Sequence, residues 1–331
     1  MRFSSRFTLG RRAATALLGS ALALAAWAPA TASDKWPERP VTLIAPFAPG
    51  GSTDMLARVI AQGLTKELGQ SVVVDNRGGA GGTLGAAVAS KAKPDGYTIL
   101  LSNVTLGSAD AIYKNLSYDF VNDFNHVAYL GSIPCVLVAS KHLPVQNAQE
   151  FITYLRANTG KLNYGSSGIG AASHLCTQSF LTAGGFDATH VPYKGAGPMM
   201  VDVISGTIAF AVDTAGSAAA QIRGDKVRGL AVTSNQRIPL LADLPTLREV
   251  GVPFEMAIWY GLVTPRGTPA SVNTRLHAAT AKVLEHPEVK EAYKTLGATA
   301  ERKSSAQLLE VVKSDKKRWT EIVKSAGIEP N

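Results

Sequence analysis

Residues 40–68 read PVTLIAPFAPGGSTDMLARVIAQGLTKEL, and the organisation of the whole chain follows from them. Val41 to Ala45 is a short apolar run with β-branched residues, which predicts a buried strand. Pro46, Pro49, Gly50 and Gly51 break it, and Ser52 has the chemistry of a helix N-cap. From Thr53 onward, Leu56, Val59, Ile60 and Leu64 recur at helical spacing up to Gly69, where a C-cap belongs. A strand therefore runs through a glycine turn into a helix start. Such a turn offers unpaired backbone N–H groups, the Ser52 and Thr53 hydroxyls and the positive end of a helix dipole, which together suit a small anion. At Gly51, a backbone brought up against an anion would leave no room for a β-carbon. The same residues also fit a tight βα turn without a ligand.

Working outward, Ser71 to Asp75 is a second strand, and the glycine-rich run Asn76 to Gly85 leads into a helix over Ala86–Lys91. After the turn Lys93-Pro94-Asp95-Gly96, Tyr97 to Leu101 is a third strand ending at Ser102-Asn103. This β-α-β-α-β series predicts a doubly wound parallel sheet with strand order 2-1-3. Ligands in such sheets sit at the switch point off the carboxyl ends of the strands, here between the loops Phe47–Ser52 and Ser102–Thr105. The Gly79, Gly81 and Gly85 spacing is a poor dinucleotide fingerprint, because it is one residue too long and follows the second strand.

A second α/β series follows. The expected strands are Ile133–Ser140, Leu162–Gly165, Thr189–Tyr193, Ile208–Val212 and Val227–Thr233. The expected helices are Gln149–Ala157, Ala171–Thr182, Pro198–Ile204 and Gly216–Arg223. The turn Ser166-Ser167-Gly168-Ile169-Gly170 repeats the opening device of glycines, hydroxyls and a helix start. If the two halves face each other, the two turns converge on one cleft. Phe254–Val263 reads as a returning strand, followed by amphipathic helices over Val272–Leu284 and Ala306–Ala326 that pack mainly on the first half.

The chain start reads differently. Arg2, Arg6, Arg11 and Arg12 precede any acidic residue, Ala13 to Ala28 is apolar but short for a membrane span, and Ala30-Thr31-Ala32 has the small-x-small form of a cleavage site. Residues 1–32 thus read as a secretory signal, with Ser33 as the mature start. The remaining chain of about 300 residues suits two ordinary domains. An apolar fraction of 46% with 18% charged residues is globular. Four of the charges behind the net +8 belong to the leader arginines, and the rest form no basic stripe, so the composition gives no support to nucleic-acid binding. The two cysteines, Cys135 and Cys176, fit either one disulfide or two buried thiols. With the six histidines they form no metal-ligand spacing, and no cofactor is expected.

The stretches WPERPVTLIAPFAPGGSTDMLAR, VDNRGGAGGTLGAAVASKAKPDGYTILL, LNYGSSGIGAASHL, HVPYKGAGPMMVDVISG and WYGLVTPRGTP closely resemble the Bug family, the substrate-binding proteins of tripartite tricarboxylate transporters. The resemblance runs from Trp36 to about Pro269 in the family's order, and the helical tail matches as well. It implies an α/β periplasmic-binding-protein fold of the two-lobed type (type II), with the ligand cleft between lobes. The implied lobes are residues 33–133 plus 255–331, and 134–254. It implies a monomeric periplasmic receptor, not an enzyme, that holds a small organic carboxylate and serves a membrane permease. Carried over residue by residue, the first-lobe contacts would be Phe47, Gly50, Gly51, Ser52 and Asn103. Those of the second would be Ser166, Ser167, Gly168, Ala171 and Ser173, with Tyr193, Lys194 and Asp213 at the cleft edge. Ser102-Asn103-Val104-Thr105 departs from the Thr-Thr or Ser-Thr pair usual in that family.

Several of these residues have plainer readings. Asp54 suits the helix dipole, Asp213 can shape a turn or receive a ligand amine, Lys194 can be solvated, and His174 can fix its loop. The competing function is a secreted hydrolase of a carboxylate ester using Ser166 or Ser167 with His174. That spacing supplies no third orienting group, and no serine sits in a G-x-S-x-G elbow.

Overall fold

A computed structural model describes residues 35–325, so the signal-peptide reading of residues 1–32 lies outside the described residues. The strands and helices described below fall in one compact unit that begins at Pro37. Its first strand, β1 (Val41–Ala45), lies between β2 (Val72–Asn76) and β3 (Thr98–Asn103), both parallel to it, in the expected 2-1-3 order. Val41 pairs with Val72 and Leu43 with Ile99, so the apolar run is sandwiched on both edges. Helix α1 (Ser52–Leu68) buries Leu56, Ile60 and Leu64 against this sheet and ends at left-handed Gly69. Its N-cap is Gly51, not Ser52, and no side chain caps it. Helix α2 (Thr83–Ser90) begins three residues before the expected start, following a tight glycine turn.

The main difference from expectation is β4. It runs from Phe124 to Ala139, 16 residues, where the pattern suggested a strand only from Ile133. Two bulges, between His126 and Ala128 and between Tyr129 and Gly131, shift the alternation of faces in its first half and hide the strand from a period-2 reading. This half pairs antiparallel with β9 (Ala257–Pro265), which also pairs with β3. The pairing with β9 ends at Pro134, and from Cys135 onward β4 pairs with β7 (Phe210–Thr214) and β8 (Arg228–Val232). A proline without an N–H is tolerated where the strand changes partners. Beyond β7 lie β5 (Asn163–Ser166) and β6 (Thr189–Pro192), parallel to one another. The strand path is therefore continuous, 2-1-3-9-4-7-5-6, with β8 branching from β4.

In the second series, helices α3 (Ala148–Ala157), α4 (Ala172–Gly184), α5 (Ala196–Ser205) and α6 (Ala215–Arg223) alternate with the strands as read. Three helices, not two, follow β9: α7 (Ala270–Val283), α8 (Pro287–Leu296) and α9 (Ser305–Ser325). Helix α8 escaped notice because only Val289, Tyr293 and Leu296 of PEVKEAYKTL are buried. Helix α7 packs on α1 and β4, and α9 on β4, as expected for the first half, whereas α8 touches both α1 and α6. None of the helices among the described residues is long and apolar enough to cross a membrane.

The loop between α8 and α9 is fixed to the β4 bulge. Ser132 and Thr299 exchange backbone hydrogen bonds of 3.0 and 2.9 Å. Gly131 has φ +118°, and a β-carbon there would lie 2.0 Å from the Thr299 carbonyl oxygen. Gly131→Ala combines left-handed strain with a backbone collision, so it should cost at least about 2 kcal/mol. A lowered urea midpoint at unchanged m-value checks this, and an unchanged midpoint would show that the bulge does not hold the loop.

Candidate functional site

The loop after β1 is held from behind. Asp54 Oδ2 accepts the Gly50 N–H at 3.1 Å, Asp54 Oδ1 accepts Asn76 Nδ2 at 2.9 Å, and Asn76 also donates to the Phe47 carbonyl at 3.0 Å. Burial alone would raise the Asp54 carboxyl, but hydrogen bonds from Arg58, Gly50 and Asn76 outweigh it and hold it below its ordinary range. The plainer reading of Asp54 thus stands, and the Gly50 N–H is spent inside the loop. At Gly51 a β-carbon would meet Ala196 Cβ at 3.7 Å, an ordinary contact. Among protein atoms Gly51 therefore has room for a methyl group, and the expectation of a clash concerns an anion held against the turn.

The loop after β5 is built in the same way. Ser166 is fully buried and its hydroxyl donates to the Gly168 carbonyl at 3.0 Å. Its other neighbour is His190 Nε2, 2.6 Å away. His174 Nδ1 accepts the Gly170 N–H at 3.1 Å, so it fixes the loop. The two imidazoles stack face to face with centroids 4.0 Å apart, and Tyr164 stacks on His190 at 4.9 Å. Behind the loop stands an aromatic column, and the buried Ser166 hydroxyl is committed to Gly168. Ser167 and Ser173 face forward. The Ser173 hydroxyl accepts the Ser167 N–H at 2.8 Å, and the two hydroxyl oxygens lie 2.8 Å apart.

These loops meet at an inner chamber. Of the expected residues, Phe47, Gly51, Ser52, Asn103, Ser167, Ser173 and Asp213 line it. Asn103 does so while its Oδ1 caps the single helical turn Val104–Gly107 by accepting the Thr105 N–H. Gly168, Tyr193 and Lys194 line an outer mouth that shares Phe47 and Ser167 with the chamber. The Tyr193 hydroxyl turns away to Asp202, and Lys194 is exposed. Gly50, Ser166 and Ala171 line neither. Thr53, whose hydroxyl the sequence reading set beside Ser52 at the turn, also lines the chamber, while sequence reasoning missed Ala196, Thr214 and Tyr260 there and Tyr113 at the mouth. Tyr260 left one signal, as a hydroxyl-bearing residue inside an apolar strand.

Helices α1, α4, α5 and α6 all begin at this chamber. Their N-caps are Gly51, Ala171, Gly195 and Thr214, and none has a side-chain cap. Each start leaves backbone N–H groups unpaired and carries the positive end of a helix dipole. Hydroxyls of Ser52, Thr53, Ser167, Ser173, Thr214 and Tyr260 complete the lining. Lysine, arginine and histidine are absent from the described residues that line it. Asp213 is its one acid, and burial raises its carboxyl above the ordinary range. The arrangement offers neutral donors to an acceptor-rich anion.

Contacts across the chamber join the two halves of the sheet. Thr214 Oγ1 donates to Ser52 Oγ at 2.8 Å, and Tyr113 Oη donates to the Ile169 carbonyl at 2.7 Å. A β-carbon on Gly81, whose φ is +63°, would meet the same carbonyl oxygen at 2.5 Å. Close by, Cys135 and Cys176 are buried free thiols with Sγ atoms 2.7 Å apart. Among the described residues no cluster of three metal-ligating side chains occurs.

An α/β sheet with loops gathered on a donor-lined chamber is the architecture of periplasmic binding proteins. Against solved structures, the chain superposes on the periplasmic binding protein BugD with TM-score 0.85 and 38% identity, over 89% of this chain and all of that one. It matches an R. palustris protein solved with adipate (TM-score 0.86, 36% identity, 89% and 100% coverage) and MatC from Rhodopseudomonas palustris with bound malate (0.82, 34%, 87% and 100%). A curated relative from Agrobacterium vitis, an uncharacterised protein of the TAR-I ttuE-ttuC' intergenic region, is 37% identical over 90% of this chain and 87% of its own length. The tripartite tricarboxylate transporter family receptor profile matches residues 56–328. The chain belongs to that family of solute receptors, which is a family of binding proteins and not of enzymes.

The stacked histidines make the fold acid-labile. Burial pushes His174 down to about 3 and His190 to about 4, and the buried His126 of β4 likewise to about 4. In the unfolded chain these imidazoles take protons near pH 6.5, so between there and about pH 4 the unfolded state binds more protons. Stability is therefore present above about pH 6.5 and falls by about 1.4 kcal/mol per pH unit for each histidine below it. Asp213, raised in the folded state, opposes this with a single group. Urea midpoints at pH 7 and 5.5 should show the loss, with one histidine's share removed in His190→Gln. Ring resonances that titrate near 6.5 in the folded protein would refute it.

Proposed function

We propose that this receptor captures a small organic carboxylate by closing two lobes over the inner chamber. The observation that carries the reading is the convergence of four uncapped helix starts on a hydroxyl-lined chamber without a cation. Adipate and malate, bound by two relatives, are the natural probes. The proposed lobes are residues 33–133 with 255–331, and 134–254, hinged where β4 and β9 cross between them. The change of strand partners at Pro134–Cys135 supports a hinge there. In this reading Gly51, Ser52, Asn103, Ser167, Ser173 and Asp213 hold the ligand, while Phe47, Gly168, Tyr193 and Lys194 form its entrance. The N-terminal 32 residues direct export, the receptor works as a monomer, and a membrane permease receives the ligand.

Calorimetric titration with adipate, malate and their primary amides tests the carboxylate. An amide sets an NH₂ against donors in a desolvated chamber and removes the charge that favours a helix start. Together these should cost about 2–4 kcal/mol, or roughly 30- to 1000-fold in affinity. Equal binding of acid and amide would overturn the anion reading. Closure is tested at Tyr113, which lies outside the inner chamber but bonds across the mouth. Tyr113→Phe should weaken the bound probe about two- to tenfold, mainly through faster release. Small-angle scattering should show a smaller radius of gyration with probe bound, and a constant radius would argue against a hinged receptor.

A further inference from the structure

Asp213 is buried at the end of β7 and lines the chamber without a cationic partner. A row of hydroxyls leads from it to the first loop. Ser217 Oγ lies 2.7 Å from Asp213 Oδ2, Thr214 Oγ1 lies 2.7 Å from Ser217 Oγ, and Ser52 Oγ lies 2.8 Å from Thr214 Oγ1. Three oxygen–oxygen contacts in series need three protons, and each hydroxyl has one to give.

Two arrangements satisfy the row. In the inward one, Ser52 donates to Thr214, Thr214 to Ser217 and Ser217 to an ionised Asp213. Ser52 then shows only lone pairs to the chamber and repels an anionic oxygen. In the outward one, a protonated Asp213 starts the row, Ser217 donates to Thr214 and Thr214 to Ser52. The Ser52 hydrogen is then free to point at a ligand. The geometry of the Ser52 contact has Thr214 as the donor. Ser217 in turn is placed to donate to Asp213, so with Thr214 donating to Ser52 the Ser217–Thr214 contact is left without a hydrogen unless Asp213 brings one.

We propose that Asp213 is protonated in the closed receptor and acts as a positioning residue, setting the donor direction of Ser217, Thr214 and Ser52 so that carboxylate capture takes up a proton. This rests on the carboxylate reading above. The titratable neighbours are Cys135 on β4, Cys176 on α4 and Tyr260 on β9. Burial pushes the Cys135 thiol and the Tyr260 phenol upward, so both stay neutral and neither supplies a cation. Desolvation, the larger influence, and an incoming second carboxylate favour the neutral carboxyl, while hydrogen bonds from the Ser217 hydroxyl and from the Thr214 N–H and hydroxyl favour the ionised one. Two carboxylates in one dry chamber share a proton for the reason that like charges there cannot both persist.

The test is titration with adipate and malate between pH 6.5 and 8.5 in buffers of different ionisation enthalpy. About one proton should be taken up per probe bound, with affinity falling toward about tenfold per pH unit as pH rises. Asp213→Asn, whose amide can donate to Ser217 at any pH, should flatten the profile and abolish proton uptake. A flat wild-type profile without uptake, or a slope that persists in Asp213→Asn, overturns the proposal. If neither probe binds at any pH, the failure belongs to the choice of carboxylate ligand. Infrared difference spectra on adding probe at pH 7 read the proton directly: a protonated-carboxyl C=O band that appears in wild type but not in Asp213→Asn supports the proposal, and no such band on binding overturns it.

Discussion

A helix start buried beside a cavity has backbone donors that must find a partner, and in this protein four such starts face one chamber. A serine, threonine or asparagine cap would satisfy them locally and contribute about 1 kcal/mol per helix. The positions hold Gly51, Ala171, Gly195 and a Thr214 whose hydroxyl points across to Ser52 instead. By contrast, Asn147 and Asn103 cap helices in the ordinary way, α3 and the turn at Val104–Gly107. Starts without a side-chain cap also occur away from the chamber, at α2, α7 and α8, so what sets these four apart is that they meet at one chamber. In the proposed function an anion that supplies acceptor oxygens would satisfy these donors in place of a cap.

Placing four starts together demands a frame that crosses from one half of the sheet to the other. Strand β4 provides it, because its first half belongs with β9 and its second with β7 and β8. Strand β4 is buried along nearly its whole length, and the bulge at Gly131 fastens the α8–α9 loop to it. The loops carrying Ser52 and Ser167 are held from behind by Asp54, His174 and His190, none of which lines the chamber. The forward-facing hydroxyls are therefore positioned by side chains that lie behind the chamber lining.

The sequence was most legible where local chemistry and tertiary role agree. The apolar run of β1, the glycine turn, the spacing in α1 and the left-handed Gly69 all follow local rules, and the 2-1-3 order follows from crossover geometry. The first half of β4 was not legible, since bulges around Ala128 and Gly131 break its alternation. Helix α8 was lost because a short helix with a charged outer face has little apolar periodicity. Within the site, the hydroxyl-and-glycine turns could be found from composition, but the direction of each side chain could not. Ser166 and Ser167 are adjacent and chemically alike, yet one is buried against His190 and the other faces the chamber, because successive residues leaving a strand point to opposite faces. Tyr260 and Thr214 were missed because their role depends on pairings between strands distant in sequence.

The absence of a cation from the described lining has a consequence for release. A lysine or arginine in a closed chamber would carry a desolvation cost of several kcal/mol when empty and hold an anion strongly on one side. Neutral donors avoid both. Hydroxyls and helix starts contributed by both halves make a strong set only while the halves are together, since each is individually weak and water replaces it readily. In the proposed hinged receptor, opening would separate Ser52 from Thr214 and the first loop from Ser167, leaving no strong partner with the ligand. The hydroxyl row proposed above would add to this, because wetting Asp213 on opening would favour its ionised form and turn the Ser52 hydrogen away. Affinity is then a property of closure, which suits a protein that must give up what it binds.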